Sequence, residues 1–159
     1  AQDRQMTIAL EAPTGLARAI GDEDQLAQVF QNLVVNAIKY GRAGTPVTVR
    51  LWHAATPPSL VGGSAGAIAV QVIDRGEGIE RRHLPRLTER FYRVDAARSR
   101  QLGGTGLGLA IVKHIVSRHR GALTIESEAG KGSEFTVYLP AATGQKPLRR
   151  ATEDSPAQA

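Results

Sequence analysis

Residues 103–113 read GGTGLGLAIVK, a glycine-rich run that passes directly into an aliphatic stretch with helical character. Glycine-rich backbone at a helix start exposes unpaired N–H groups at the positive end of the helix dipole, which makes it a ready anion site. Two familiar phosphate loops are excluded. A Walker A loop needs Lys immediately after its last glycine, whereas Lys113 comes five residues after Gly108. A dinucleotide fingerprint needs a strand directly before the glycines, and an Arg-rich hydrophilic stretch precedes them here. A glycine loop without a ligand is the alternative. The helix that follows is expected from about Leu107 to His119, stopped by Gly121.

Upstream, Asp22 opens another expected helix, with Gln25 three residues later completing a capping-box pattern. Leu26, Val29, Phe30, Leu33, Val34 and Ala37 recur at helical spacing, and Gly41 ends the run. Asn32, Asn36 and Lys39 fall at i, i+4 and i+7, a polar line beside the apolar stripe that Gln25 and Gln28 extend. A solvated face is the ordinary explanation of such a line. Asn, however, is a poor helix former, so two amides in mid-helix are better explained by something they face. An Asn carbonyl is a hard oxygen ligand of the kind that suits Mg2+ with its waters and phosphates.

The strands are expected at 6–10, 17–20, 47–52, 68–73, 122–127 and 134–139, with a long Pro/Gly/Ser loop over 54–67 and a short helix near 80–90. Strands grouped with interspersed helices point to α+β: one mixed sheet with helices on one face. Asp74-Arg75-Gly76-Glu77-Gly78-Ile79 follows the strand at 68–73. An ionised Asp only accepts hydrogen bonds, so it suits an amine such as the exocyclic group of adenine, and spaced glycines let a flat ligand lie against the backbone. Taken alone, the same residues also make an ordinary turn. Phe91-Tyr92-Arg93-Val94-Asp95, then Arg98, Ser99 and Arg100, have the composition of a lid whose arginines fork onto phosphate, or of a solvated charge run.

Composition narrows the classes further. The chain has 159 residues, 42% hydrophobic and 4% aromatic, so its core is aliphatic and one domain with tails is the expected organisation. With no Cys, a disulfide scaffold, a thiolate metal site and a cysteine nucleophile are all excluded. No segment approaches the roughly 20 apolar residues of a membrane span. The start, Ala1-Gln2-Asp3-Arg4-Gln5, has no signal-peptide character and reads as a cut inside a longer protein. Residues 141–159 carry no apolar period and are expected to be a disordered tail beyond a domain over 1–140. The net charge of +5 has a location: eight arginines between Arg75 and Arg100 face only Glu77, Glu80, Glu89 and Asp95. That suits one triphosphate better than a nucleic-acid footprint, and seven aromatic residues are too few for a base-stacking platform.

In order and spacing, Asn32-Leu33-Val34-Val35-Asn36-Ala37, Asp74-x-Gly-x-Gly, Arg90-Phe91-Tyr92-Arg93-Val94-Asp95 and Gly104-Thr105-Gly106-Leu107-Gly108-Leu109 resemble the N, G1, F and G2 boxes of sensor histidine kinases. Gly130-Lys131-Gly132-Ser133-Glu134-Phe135 resembles that family's last glycine motif, and the run from Leu87 to Gly121 looks most like kinases of the phosphate-starvation (PhoR) type. The resemblance covers about residues 5–140. It implies the Bergerat ATP-binding fold, an α+β two-layer sandwich with the nucleotide between helices under a lid. It also implies ATP and Mg2+ as ligands, with Asn36 on the metal. Asn32, Lys39 and Arg93 become the candidate catalytic residues: Lys39 as a phosphate contact, Arg93 toward the terminal phosphate. Tyr40 would pack against adenine, Asp74 would read its amine, and Gly76, Gly78 and Ile79 would line the base. Gly104, Thr105, Gly106, Leu107 and Gly108 would cradle phosphate, and Ser133 would help read adenine through water.

The family phosphorylates a His followed by an acidic residue, but His53, His83, His114 and His119 are followed by Ala54, Leu84, Ile115 and Arg120. The implied partners are therefore a dimerisation and phosphoacceptor domain of the same parent and a response regulator downstream. No nucleic-acid or membrane contact is expected of this part, which would be a monomeric cytoplasmic domain of a parent in the bacterial inner membrane. Hydrolytic relatives carry Glu one turn before the metal-binding Asn. Here Asn32 takes that place, and an amide takes no proton from water at neutral pH. An ATP-hydrolysing switch and an anti-sigma-type protein-serine kinase are the alternative functions.

Overall fold

Asp22 caps the first helix as its sequence suggests. Its carboxylate accepts the Gln25 N–H at 2.8 Å, and Glu23 and Asp24 follow at the positive end of the dipole. The computed structural model describes residues 5–59, 61, 66–95, 97 and 101–142. Within these, α1 spans Glu23–Tyr40 and buries Val29, Leu33 and Ala37. The reciprocal half of the capping box comes from elsewhere than Gln25. Asp22 N–H donates to Nε2 of His119 at 3.0 Å, and His119 Nδ1 lies 2.8 Å from the Ile115 carbonyl. That pairing requires the neutral ring, with its proton on Nδ1. His119 thus fastens the start of α1 to the end of the second helix, α2, Gly108–Arg118.

Five strands form one mixed sheet: β1 (Ile8–Glu11), β2 (Val47–Ala54), β3 (Ala67–Asp74), β4 (Ala122–Glu128) and β5 (Gly132–Pro140), in the order β1-β2-β3-β5-β4. β1 runs parallel to β2, and every other pairing is antiparallel. Alternation puts one side chain in two on each face, and the register aligns those sides across strands. Val49, Val72, Phe135 and Ile125 make one row, and Leu51, Val70, Val137 and Leu123 the next. α1 and α2 pack on this face and on each other, closing a core in which Val29, Leu33, Val72, Val112, Val116 and Val137 are essentially inaccessible. The opposite face carries Arg50, Gln71, Glu134 and Thr136, with Trp52 edge-on to Tyr138 at 6.4 Å between ring centroids.

Several boundaries differ from the sequence expectation, β1 at Ile8–Glu11 instead of 6–10 among them. The strand expected at 17–20 is reduced to a single bridge, Ala19 to Ala141, because this segment crosses the sheet end and packs Leu16 and Ala19 against Ile68 and Val70. The same bridge holds Ala141 inside the fold, 7% exposed, so the ordered chain passes 140; the tail expectation for residues 143–159 lies outside the described residues. The short helix near 80–90 is a 3-10 turn, Arg81–Arg86, with Pro85 inside it. α2 ends through Arg120 in the left-handed region at φ +54°, one residue before Gly121, whose N–H reaches the Val116 carbonyl at 2.9 Å.

Candidate functional site

The apolar rows of the sheet give way to a polar one at its end. On the helix-covered face, the row beyond Val72–Phe135–Ile125 is Asp74–Ser133–Ser127. Above it, the space between α1 and α2 forms a cleft of about 360 Å³. Asp74 forms its floor at 5% exposure. Burial pushes its carboxyl above the ordinary value, partly offset by N–H bonds from Gly76, at 2.8 Å, and Ser133. The glycines make this floor possible. A Cβ on Gly76 would run into the Tyr40 carbonyl, and Gly78, at φ +68°, lies so close to Glu128 that a Cβ would collide with its carbonyl.

A second polar knot supports the same corner. Ser127 Oγ accepts the Ile79 N–H at 2.8 Å, donates to the Gly132 carbonyl at 2.8 Å and lies 2.9 Å from Ser133 Oγ. It ties the turn after β3 to the β4–β5 hairpin, so this wall of the cleft is braced from behind.

From α1, Asn32, Asn36, Lys39 and Tyr40 line the cleft together with Asp74, Gly78, Ile79, Arg93, Gly104, Thr105, Gly106, Gly108 and Ser133. Two expected residues do not line it. Gly76 stands behind Asp74 as its hydrogen-bond donor. Leu107 caps α2, its N–H meeting Thr105 Oγ1 at 3.3 Å. Gly108 opens α2 beside Asn32, and a Cβ there would make ordinary contact with Asn32 Oδ1 at 3.4 Å. Among the described residues no side chain caps the start of α2. Its first-turn N–H groups are therefore available to an anion at the glycine-loop end of the cleft.

The Phe91 segment pins that loop. Phe91 adopts φ +64°, its N–H donates to the Gly106 carbonyl at 2.9 Å, and Gly106 itself is at φ +72° with the Phe91 backbone against it. Its ring is left 70% exposed beside the cleft. The arginine surplus is less concentrated than the sequence suggests. Arg93 lines the cleft, but Arg82 pairs with Glu80 at 3.0 Å, and Arg86 pairs with Glu89 at 3.2 Å while lying over the Tyr92 ring at 4.2 Å. Arg98 and Arg100 lie outside the described residues.

Val35, Leu87, Tyr92, Leu109 and Phe135 also line the cleft without having been singled out as ligand residues. Phe135 and Leu109 belong to core periodicity, so their second role is visible only once the sheet end and α2 meet. Tyr92 is held by His83, whose Nδ1 hydrogen-bonds its hydroxyl. None of the four histidines lines the cleft: His53 and His114 are exposed, and His83 and His119 have structural partners.

Comparison with known proteins gives a consistent answer. Residues 21–143 match the model of the histidine kinase-, DNA gyrase B-, and HSP90-like ATPases. The sensor-like histidine kinase SenX3 of Mycolicibacterium smegmatis is 44% identical over 140 residues, 88% of this chain and 34% of that protein. The phosphate regulon sensor protein PhoR of Pseudomonas aeruginosa is 43% identical over 148 residues, 93% of this chain and 31% of that protein. The chain thus spans about a third of the length of these relatives. Full-length ShkA in complex with AMPPNP superposes with a TM-score of 0.74 at 30% identity, covering 94% of this chain and 28% of that one. The mycobacterial sensor histidine kinase MprB gives 0.70 at 28%, covering 88% and 85%.

Proposed function

The chain belongs to the family of histidine kinase-, DNA gyrase B-, and HSP90-like ATPases, and from that premise we propose that it binds ATP with Mg2+ and offers the γ-phosphate to a histidine on a separate phosphoacceptor domain. The observation that carries this reading is the polarity of the cleft. A buried carboxylate forms one part of it, and an uncapped, glycine-flanked helix start forms another. An aminopurine and a polyphosphate are joined in one molecule, ATP, with complementary chemistry at both places.

The donor set fits Mg2+. Among the described residues no three His, Cys, Asp or Glu side chains cluster to hold a metal. Asn36 would offer one amide oxygen, leaving the other positions to water and phosphate, as this ion prefers. Bound there, Mg2+ supplies charge neutralisation to the phosphates. Lys39 and Arg93, which both line the cleft, would do the same, and the α2 N–H groups would hold the phosphate oxygens.

Asn32 faces the same cleft and has no basic atom with which to deprotonate water. The arrangement therefore suits holding ATP for another nucleophile, by positioning and electrostatics, better than hydrolysis. That nucleophile is the imidazole of a dimerisation domain of the same parent, which then passes the phosphate to a response regulator. In this reading the chain is a monomeric cytoplasmic module, of a parent anchored in the bacterial inner membrane, without nucleic-acid contacts. Among the described residues no helix is long and apolar enough to cross a membrane.

The test is labelling with γ-labelled ATP. The chain alone stays unlabelled and releases little phosphate, and an added phosphoacceptor domain becomes labelled with an acid-labile phosphate. Strong self-labelling, acid-stable label on a serine, or rapid phosphate release without a partner would each overturn the proposal.

A further inference from the structure

Phe91 stands at φ +64°, a left-handed conformation that a residue with a Cβ keeps only where its surroundings over-determine it. Its own side chain contributes little to this, since the ring is 70% exposed, and Val94 three residues on is 48% exposed. The turn is held from its two ends instead. On one side the Phe91 N–H donates to the Gly106 carbonyl at 2.9 Å. On the other, Tyr92 is half-buried, and its side chain is fixed twice by one short element, the 3-10 turn Arg81–Arg86. His83 Nδ1 hydrogen-bonds the Tyr92 hydroxyl, and the Arg86 guanidinium lies over the Tyr92 ring at 4.2 Å.

These two anchors are unequal. Arg86 is exposed and also paired with Glu89, so its attraction to the ring is shared with solvent and a carboxylate. The His83 bond is directional and partly buried. It forms in every state of the imidazole, because a hydroxyl both donates and accepts and so completes the bond with either neutral tautomer or with the cation. His83 is itself well placed to hold something. Its N–H bonds the Glu80 carbonyl at 2.9 Å, and the preceding Ile79 N–H is tied to Ser127 of β4 at 2.8 Å.

Next to Tyr92 comes Arg93, which lines the cleft and carries the assigned contact to the terminal phosphate. We propose that His83, which does not line the cleft, is a positioning residue for Arg93. By fastening Tyr92 it keeps Phe91 in its left-handed conformation, and that conformation sets the direction in which the chain enters Arg93. Without the bond, Phe91 can relax to an ordinary backbone conformation, which redirects the residues that follow. The inference rests on the ATP-binding reading above and adds a residue outside the cleft that places its phosphate contact.

The signature is a selective loss at the terminal phosphate. Affinities for ATP, ADP and adenosine, each with Mg2+, are measured by calorimetry on the whole chain, with circular dichroism to confirm folding. The variants are Arg93→Ala, His83→Ala, His83→Asn, Tyr92→Phe and the double variant His83→Ala/Arg93→Ala. Arg93→Ala removes the contact itself and should lower the ratio of ATP to ADP affinity about 10-fold or more. His83→Ala should lower the same ratio about 3- to 10-fold, with adenosine affinity within about twofold of wild type. Tyr92→Phe, which loses only the hydroxyl, should lower the ratio likewise. His83→Asn, whose amide ends near the place of Nδ1, should restore it. In the double variant the ratio should fall no further than in Arg93→Ala, because both changes act on one contact.

An unchanged ratio in folded His83→Ala would overturn the proposal, as would an equal weakening of all three ligands, the result expected of a residue that merely supports the cleft wall. A double variant whose ratio falls by the product of the two single effects would overturn it too, and so would an unchanged ratio in Arg93→Ala. If His83→Ala does not fold, Tyr92→Phe decides, and an unchanged ratio there overturns the proposal. Wild type that binds none of the three ligands would instead overturn the ATP-binding reading on which this one rests.

Discussion

Asp74→Asn separates binding from stability, and the two should move in opposite directions. The carboxylate receives the N–H groups of Gly76 and Ser133 and is nearly inaccessible, and burial holds its carboxyl above the ordinary 3.8. In Asn the carbonyl oxygen has two lone pairs, enough for those two donors, and its NH2 takes the other oxygen's place. That NH2 would then face the amine of adenine, donor against donor. The loss of a charge-assisted bond is worth about 1.5–3 kcal/mol, so ATP should bind roughly 10- to 150-fold more weakly. Stability follows the other sign. A carboxyl raised in the folded state favours folding below its unfolded value, and this contribution is lost as pH climbs through the folded value. At neutral pH the ionised, desolvated Asp74 therefore costs stability, and Asn removes that cost. The variant should melt no lower than wild type at pH 7, and its relative advantage should grow as pH rises from about 3 through the raised value. The assay is calorimetric titration with ATP and Mg2+ alongside circular-dichroism melts at several pH values. Binding within about threefold of wild type would refute the reading of Asp74 as the base acceptor. A melting point several degrees lower at pH 7 would refute the desolvation argument.

Other substitutions test neighbouring parts. Gly78→Ala combines a left-handed backbone with a collision against the Glu128 carbonyl; a loss of at least about 2 kcal/mol is expected, seen as a clear drop in Tm. Lys39→Ala should weaken ATP by about tenfold or more while leaving adenosine affinity unchanged, since its assigned partner is phosphate; calorimetry with both ligands checks this. His119→Ala removes the acceptor for the Asp22 N–H, costing roughly 0.5–1.5 kcal/mol in a denaturant melt with no change in ATP affinity.

Much of the site is legible because its residues announce themselves locally. Asp22 as a cap, the Asn32–Asn36–Lys39 line, the carboxylate after β3 and the glycine run before α2 all occupy the positions expected of them. Other readings fail for lack of a local signal. The 17–20 segment has strand-like composition but forms a single β-bridge, Ala19 to Ala141, because its packing against Ile68 and Val70 decides its path. Gln25 satisfies the capping-box pattern, yet His119, 97 residues away, takes the Asp22 N–H. The arginines look like one basic lid in sequence, whereas Arg82 and Arg86 are engaged by the nearby Glu80 and Glu89.

Taken by itself, the sequence determined the apolar periodicities and the Asp22 cap, since each depends on a few consecutive residues and on backbone sterics. It also determined the resemblance to histidine kinases, because the motifs lie in order along one chain. Only the tertiary structure decided which polar groups share a wall. Asp74, Ser133 and Ser127 come from three strands, and the β3–β5–β4 register alone makes them one row. The direction of a hydroxyl proton in that row depends on every partner within reach, and those partners meet only when the sheet has formed.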